Sequence, residues 1–497
     1  FIQAEGSDLS DRAFGENLVS GTYANQFAYG SIGENGIASY MGRVNYNFAR
    51  KYYISASIRR DALSSLAEAN RVGYFPGASF AWRVSEEGFW GEELARILPD
   101  FRIRGSFAEV GNVRIGNYPY IGSFGSALYG TQNGIAYSNF GNDGLQWESQ
   151  KKMDFGVDFG LFDGRFNGSI AYWRQENDEI ILQAPTAPSL GIPGNRIFSN
   201  IGSMRGDGIE LTLDAVVMRR GNFRWNSSFN ISTQNNEVTS LVKNLNGTDQ
   251  DIITEYNIIR VGEQINSIYG FDYHGVNPAN GNGVYKKADG TLVQQNVNTG
   301  AFSVYNPDEP GGAGAAATLS TSADRRVLGS VLPTWFGGLD NNFYLGDFDF
   351  NLFLRFSGGN VIMNRTRQDL LDMGFNNNST EILGRWQSPE NPGDGQTPRV
   401  RLNANNNTNL PNLASTRWVE KGDFLRVGNI SMGYSMPKSL LNRAKVASLR
   451  VYVQAQNILT FTPYKGLDPE TNTNGFGVDF NGNPQQQVFL IGANLGF

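Results

Sequence analysis

The chain closes on VFLIGANLGF, in which Phe489, Ile491, Ala493, Leu495 and Phe497 fall on one side of an extended strand and Leu490, Gly492, Asn494 and Gly496 on the other. The same design recurs upstream. Met153, Phe155, Val157, Phe159 and Leu161 alternate with Lys152, Asp154, Gly156, Asp158 and Gly160, and Phe223, Trp225, Phe229 and Ile231 alternate with Arg224, Asn226, Ser228 and Asn230. Phe348, Phe350, Leu352, Leu354 and Phe356 oppose Asp349, Asn351 and Arg355. Residues 40–48, 209–217 and 449–457 repeat the pattern less cleanly. One side of each strand is apolar and the other is polar or glycine, so the fold class is all-β.

A soluble sandwich also alternates, so the connections must decide. Tight turns at 49–51, 163–164, 219–222 and 346–347 take turns with long stretches rich in Asn, Gly and Pro at about 112–145, 183–199, 237–333, 361–423 and 460–486. Short turns on one side and long loops on the other are the pattern of an antiparallel transmembrane β-barrel with long extracellular loops. Composition agrees, with 60 glycines in 497 residues, 12% aromatics and only 18% charged residues. No stretch approaches the roughly 18 to 20 consecutive apolar residues of a spanning helix, whereas barrel strands need only about 9 to 11 alternating ones. With the tight turns in the periplasm, the strand at 40–48 runs inward and the one from 52 outward. Strands then follow near 75–85, 101–111, 146–161, 166–182, 200–217, 223–236, 335–345, 348–358, 424–435, 448–459 and 487–497. The last runs inward and leaves Phe497 in the periplasm. Residues 263–276 look like one more strand, but a single extra crossing would break the in-out parity, so they are expected in an external loop.

A strand that closes on a terminal Phe resembles the assembly signal of bacterial outer-membrane β-barrels, which points to Phe489, Ile491, Leu495 and Phe497 for that role. Further motifs are more specific. LRVGNISMGYSMP at 425–437, RVYVQAQNILTFTPYKGLDPE at 450–470, RWQSPENPGDGQTPR at 385–399, and YMGRVNYNFARKYYISASIRRD followed by GYFPGASFAWRVSEE resemble the SusC/RagA-like TonB-dependent transporters of Bacteroidota outer membranes. The resemblance runs from about residue 37 to the C-terminus. It implies a barrel of about 22 strands, an N-terminal plug, a TonB box and a SusD-like surface lipoprotein that closes the mouth as a lid. The thirteen or so strands here would be about strands 10 to 22 of such a barrel. Residues 1–36 are then an extracellular loop or the end of a preceding strand, and 37–497 the C-terminal part of the barrel. The plug and N-terminal strands are expected outside this chain, which FIQAEGSDLS opens without a signal peptide's basic start or apolar core, as a chain does that was processed or begins partway through a longer one. Expected partners are that N-terminal half, TonB acting through it, the lipoprotein lid and outer-membrane lipid. One departure concerns a calcium-like DxNxDG loop of many members: Asn277, Asn280 and Asn282 supply neutral oxygens where carboxylates are expected, which argues against a tight calcium site.

Other chemistry finds little support. A formal net charge of -6 argues against nucleic acid as a partner. Cysteine is absent, and the single histidine, His274, has neither a second histidine for zinc nor a GxSxG elbow for a triad, so no cofactor and no enzyme activity are expected. Glu176, Asp178 and Glu179 are better read as a solvated strand end than as a glycosidase pair. Tyr172, Trp173, Trp225, Trp335 and Trp386 have flat faces that suit sugar rings, but Trp173 and Trp225 are expected in the aromatic girdles flanking the apolar band. Tyr118, Tyr120, Tyr129 and Tyr137 lie outside that band and are candidate contacts to substrate or lid, with simple loop packing as the alternative. The function implied is uptake of a bulky nutrient, an oligosaccharide or a peptide. A structural or scaffold SusC-like subunit and a diffusion porin are the alternatives, and a TonB box and plug upstream would separate the first reading from both.

Overall fold

Alternation becomes register in the computed structural model, which describes residues 2–9, 23–30, 34–113, 115–244, 246–297, 299–373, 377–400, 414–444, 446–470 and 475–497. One antiparallel sheet runs in chain order through β1 (Ile37–Phe48), β2 (Tyr52–Leu63), β3 (Val72–Arg83), β4 (Asp100–Asn112), β5 (Glu148–Leu161), β6 (Phe166–Pro185) and β7 (Arg196–Arg220). It continues through β8 (Phe223–Thr233), β9 (Trp335–Leu345), β10 (Phe348–Gly358), β11 (Phe424–Ser435), β12 (Ser448–Phe461) and β13 (Val488–Gly496). This is the path that the alternation predicts. Asn235–Ser240 extends β8 outward along β7 alone. Residues 2–9 and 23–30 pair with each other in a separate hairpin.

The register carries a single face across the whole sheet. Tyr46 lies opposite Ile54, Ile54 opposite Phe80, Phe80 opposite Gly105, and Gly105 opposite Phe155, whose other neighbour is Tyr172. Toward the other edge, Phe350 meets Met432, Met432 meets Val453, and Val453 meets Ile491. The reverse face is polar, with Arg102 on Asp158 at 2.6 Å and Arg104 on Asp154 at 2.5 Å. A slip of one residue anywhere would exchange the two faces, so the apolar band fixes the register. Phe489, Ile491 and Leu495 lie on the apolar face, opposite Ala455, Val453 and Leu449, and Phe497 follows β13 with 91% of its surface exposed. Among the described residues β1 pairs only with β2, and β13 only with β12.

The two ends of the sheet differ. At one end, turns reverse the chain through left-handed residues, Ala49 and Arg50 between β1 and β2, Gly221 between β7 and β8, Gly346 between β9 and β10. Two connections at this end are longer than the tight-turn pattern suggests: 84–99 carries the helix Glu92–Ile97, and 436–447 the helix Lys438–Ala444. At the other end β6 and β7 run to 20 and 25 residues, about twice the 9 to 11 needed to span a membrane, and stand well beyond the band. Residues 263–276 join the small sheets there through Ser267–Gly270 and Asp272–Val276, outside the main sheet as the parity required. No helix of the described residues is long and apolar enough to cross a membrane.

One expectation fails. Trp173 sits on the polar face, because its neighbours Ile170 and Tyr172 share the apolar one through Leu211 and Ile209. Its ring covers Gly206 and Gly208 and lies under Lys152 at 5.5 Å, so it is no girdle residue. Trp225 does occupy the apolar face at the tight-turn end, stacked on Phe343 at 5.4 Å with its Nε1 donating to Asn341 at 3.0 Å. Glycine is required under Trp173, since a Cβ on Gly208 would lie 2.0 Å from the Thr233 carbonyl oxygen and 2.9 Å from the indole. Gly208→Val should therefore cost about 1 to 3 kcal/mol, the usual penalty of overpacking. The check is the temperature at which the folded band shifts in semi-native electrophoresis; an unchanged temperature would remove the packing role given to this glycine.

Candidate functional site

At the long-loop end, three connections far apart in sequence weld into one crown. Val361–Asn364 pairs antiparallel with Val419–Lys421 and parallel with Val478–Asp479, so two loops share a sheet. The 234–334 loop joins them through Phe271, whose N-H donates to Ala414 O at 2.9 Å and whose carbonyl accepts from Thr416 N at 3.0 Å. Asn257 Nδ2 donates to Phe476 O at 2.8 Å. The junction is sealed by Ile268, Val331, Met363, Leu371 and Trp418, all of them buried. A second cluster packs Phe271, Tyr273, Tyr285 and Val293, where burial pushes the Tyr285 hydroxyl up to about 12. Arg367 lies over Trp418 at 5.4 Å, bonds Glu381 and reaches Glu420 at 3.1 Å; its hydrogen bond holds the Glu381 carboxyl below its ordinary range.

Beneath the crown, the polar face of the sheet opens into a cavity of about 540 Å³. Phe336, Phe353 and Phe424 line it together with Asn230, Arg355 and Glu470. Alternation puts them there: Phe353 and Arg355 are the inward residues of β10, between the outward Leu352, Leu354 and Phe356. Glu470 is held by Arg355 at 2.8 Å and by Arg426 at 3.1 Å. Burial nevertheless keeps its carboxyl above the ordinary value. Arg426 and Asp468, 2% and 4% exposed, meet at 2.5 Å and anchor the 462–487 loop to β11. Burial would raise Asp468, but Arg426 and the backbone amides of Gln485 and Glu470 hold it below the carboxylate range. Farther down the same face runs a hydrogen-bonded ladder of amides and carboxylates. Asn351 donates to Asp340 at 2.5 Å, Asn429 to Asn351 at 2.7 Å and Gln454 to Asn429 at 2.7 Å, and Arg450 meets Asp349 below them. A concave, aromatic-lined space with a few convergent polar groups, leading to a hydrophilic wall, has the lining of a small-molecule binding pocket.

The tyrosines expected to serve this end fall in one connection but in separate clusters. Tyr118 and Tyr120 touch edge to face at 6.2 Å. Tyr137 packs between Phe124 at 4.3 Å and Phe140 at 4.4 Å, on a hairpin of Ser123–Tyr129 and Gln132–Asn139. Tyr129 ends the first of these strands, and its side chain lies outside the described set. The hairpin leaves Phe124, Leu128, Ile135 and Tyr137 exposed. Tyr118, Tyr120 and Tyr137 do not line the cavity beneath the crown. The cavity residues went unread because Phe336, Phe353 and Phe424 look in sequence like any strand aromatic; their place in the alternation, opposite the apolar set, was the available signal. Trp386 donates to Pro278 O at 2.7 Å and packs within the crown instead of forming a platform. In the asparagine loop, Asn277 Nδ2 donates to Gln294 Oε1 at 2.7 Å and Pro310 O at 2.9 Å, so amide hydrogens tie the acceptors together.

An antiparallel wall with one continuous apolar face, a hydrophilic face behind it and a folded crown at one end has the architecture of the wall of a transmembrane β-barrel. The model of the TonB dependent receptor-like β-barrel family matches residues 3–458, and the chain belongs to that family. TonB-dependent receptor P3 of Formosa agariphila is 29% identical over all of this chain and 49% of its own length. TonB-dependent receptor SusC of Bacteroides thetaiotaomicron is 26% identical over 95% of the chain and 44% of its own. Among solved structures, the RagAB peptide transporter superposes with a TM-score of 0.79 at 23% identity, covering 97% of this chain and 50% of that one. The chain thus spans about half the length of the relatives it matches. The apolar face is the lipid face, the polar face lines the lumen, the tight-turn end is periplasmic and the crown is extracellular.

The Arg426–Asp468 pair yields a test. Arg426→Met strands a buried carboxylate, a change that costs about 3 to 5 kcal/mol, and should free the 462–487 loop to protease and to hydrogen exchange. Adding Asp468→Asn removes the stranded charge and keeps one side-chain oxygen to accept from the amide of Glu470 or of Gln485, which bond different oxygens of Asp468, so the double variant should be better protected than the single. A double variant as exposed as the single would show that the charge pair is not what anchors the loop.

Proposed function

We propose that this chain is the C-terminal part of the barrel of a TonB-dependent importer that takes up a bulky nutrient, an oligosaccharide or a peptide, with a SusD-like lipoprotein as its lid. The observation that carries this reading is the crown, three loops folded into one body above an aromatic cavity that opens on a polar lumen. Such a mouth can hold a large polar solute while water is excluded from its apolar faces. Release would follow when TonB, acting through the N-terminal part, pulls on a plug. Uptake by cells carrying the full-length transporter and its lid should be lost when TonB is deleted. The pair Phe336→Ala with Phe353→Ala should raise KM several-fold at unchanged surface level. Uptake that is indifferent to TonB would instead favour a diffusion porin, and a correctly inserted protein with no uptake would favour a scaffold.

The lid reading rests on the exposed apolar hairpin and the crown. A SusD-like lipoprotein should co-purify in mild detergent, with cross-links concentrated on the Ser123–Asn139 hairpin, on 246–333 and on the 475–487 segment. Recovery of the barrel alone from native membranes would count against it.

The edges of the wall concern its partner half. In hydrocarbon, each unpaired N-H or C=O costs several kcal/mol, and among the described residues β1 and β13 each have one edge without a strand partner. Strand number, tilt and diameter are linked, so a separate or preceding N-terminal part would supply about nine strands, with the plug, to reach the family's 22. β13 would pair with the first of them, and Phe489, Ile491, Leu495 and Phe497 would form the assembly signal on its lipid side. Deleting Phe497 from the full-length transporter should lower outer-membrane insertion more than the stability of protein already inserted; equal surface levels would remove the role.

A further inference from the structure

Residues 84–99 join β3 to β4 at the periplasmic end, where a hairpin needs only about two to five residues. The surplus folds as short helical turns, Val84–Glu86, Gly88–Trp90 and then α1 (Glu92–Ile97). The segment leans outward, against the lipid side of the wall. Phe89 packs edge-on against Trp82 at 6.4 Å, and Trp90 lies flat on Phe101 at 5.6 Å with its Nε1 donating to Leu98 O at 3.0 Å. Both partners belong to the lipid face, since Trp82 lies opposite Tyr52 and Ile103, and Phe101 opposite Phe159. Glu87 fixes the start of the segment by accepting from Tyr52 Oη at 2.6 Å, Trp82 Nε1 at 3.1 Å and Lys51 Nζ at 3.1 Å. Ile97 O accepts from Phe162 N at 3.0 Å and fixes the other end to the next turn.

This anchoring leaves an apolar surface bare. Phe89 is 70% exposed, and Leu94 and Ile97 are each 45% exposed. Leu94 and Ile97, three residues apart, share one side of α1, while Glu92 and Arg96, four apart, share the opposite side. Phe89 also continues a row of rings on the lipid face, Tyr46 to Phe48 at 6.5 Å, Phe48 to Tyr52 at 6.4 Å and Tyr52 to Trp82 at 6.3 Å. We propose that 84–99 is an interfacial anchor lying in the periplasmic leaflet of the outer membrane, with Phe89, Leu94 and Ile97 among the phospholipid acyl chains and Glu92 and Arg96 in the headgroup layer. Continuity with the lipid face selects lipid as the occupant, because the bare residues extend a surface already in hydrocarbon. Aromatic and aliphatic groups opposite charged ones are what an in-plane interfacial segment requires.

Cysteine is absent from these 497 residues, so a spin label on a substituted cysteine reports one position once any cysteine elsewhere in the full-length transporter is replaced. Labels at Phe89→Cys, Leu94→Cys, Glu92→Cys and Arg96→Cys would be compared in phospholipid nanodiscs by power saturation with oxygen and with a water-soluble nickel chelate. The oxygen-to-nickel accessibility ratio should be several-fold higher at 89 and 94 than at 92 and 96. Equal nickel access at all four would place the segment in water, and protection of 89 and 94 from both reagents would place a protein surface over it; either overturns the proposal. Labelled proteins must keep the parent's electrophoretic shift, and should the Phe89 label lose it, the Leu94 and Glu92 pair decides.

Discussion

Every feature of the wall depends on the need of backbone N-H and C=O groups to find partners where water cannot reach them. Continuous antiparallel ladders meet that need. They also force side chains to alternate, so each strand must declare one lipid residue for every lumenal one. From this follow the unbroken apolar face from Tyr46 through Phe155 to Ile491, the polar ladder of Asp340, Asn351, Asn429 and Gln454 behind it, and the positive-φ turns that reverse the chain at Gly221 and Gly346. The cavity under the crown is a by-product of the same rule, because Phe353 and Arg355 face inward only as the residues between Leu352, Leu354 and Phe356.

That constraint also decides what could be read from sequence. Strand positions, their parity and the exclusion of 263–276 from the wall were legible because hydrocarbon imposes a period of two on residue type. Trp173 was misread when residue type was trusted over phase. Ile170 and Tyr172 already occupied the outward positions, so the next residue had to turn inward, onto Gly206 and Gly208. The strand expected to reach 85 ends at Arg83 because Glu87, held by Tyr52, Trp82 and Lys51, starts the outward-leaning segment. No local pattern announces such a three-way hydrogen bond.

The crown obeys different rules, and its details were illegible for a physical reason. Its backbone is wet at the surface and buried within, so no period is imposed. Order comes from contacts between residues far apart: Asn257 with Phe476, Tyr273 with Thr416, Trp386 with Pro278. Its carboxylates show the same logic. Asp468 and Glu470 are two residues apart, yet one is held below and the other above the ordinary range, because Asp468 collects a guanidinium and two amides where burial dominates at Glu470.

Wall and crown therefore tolerate change differently. Each wall strand pairs with its sequence neighbours, so a loop of any length leaves the ladder intact as long as it returns at the right phase. A crown that folds on its own hydrophobic clusters, Ile268 with Trp418 and Phe271 with Tyr285, can then be rebuilt without disturbing the wall. The exception is where the two are joined. Arg426 belongs to the ladder by its backbone and to the crown by its guanidinium, so the Arg426–Asp468 contact fixes the height at which the 462–487 loop sits above the cavity. A wall of this kind can vary the shape of its mouth through residues that carry no period, while a few inward-facing charges such as Arg355 and Arg426 keep the variable part seated on the part that the membrane dictates.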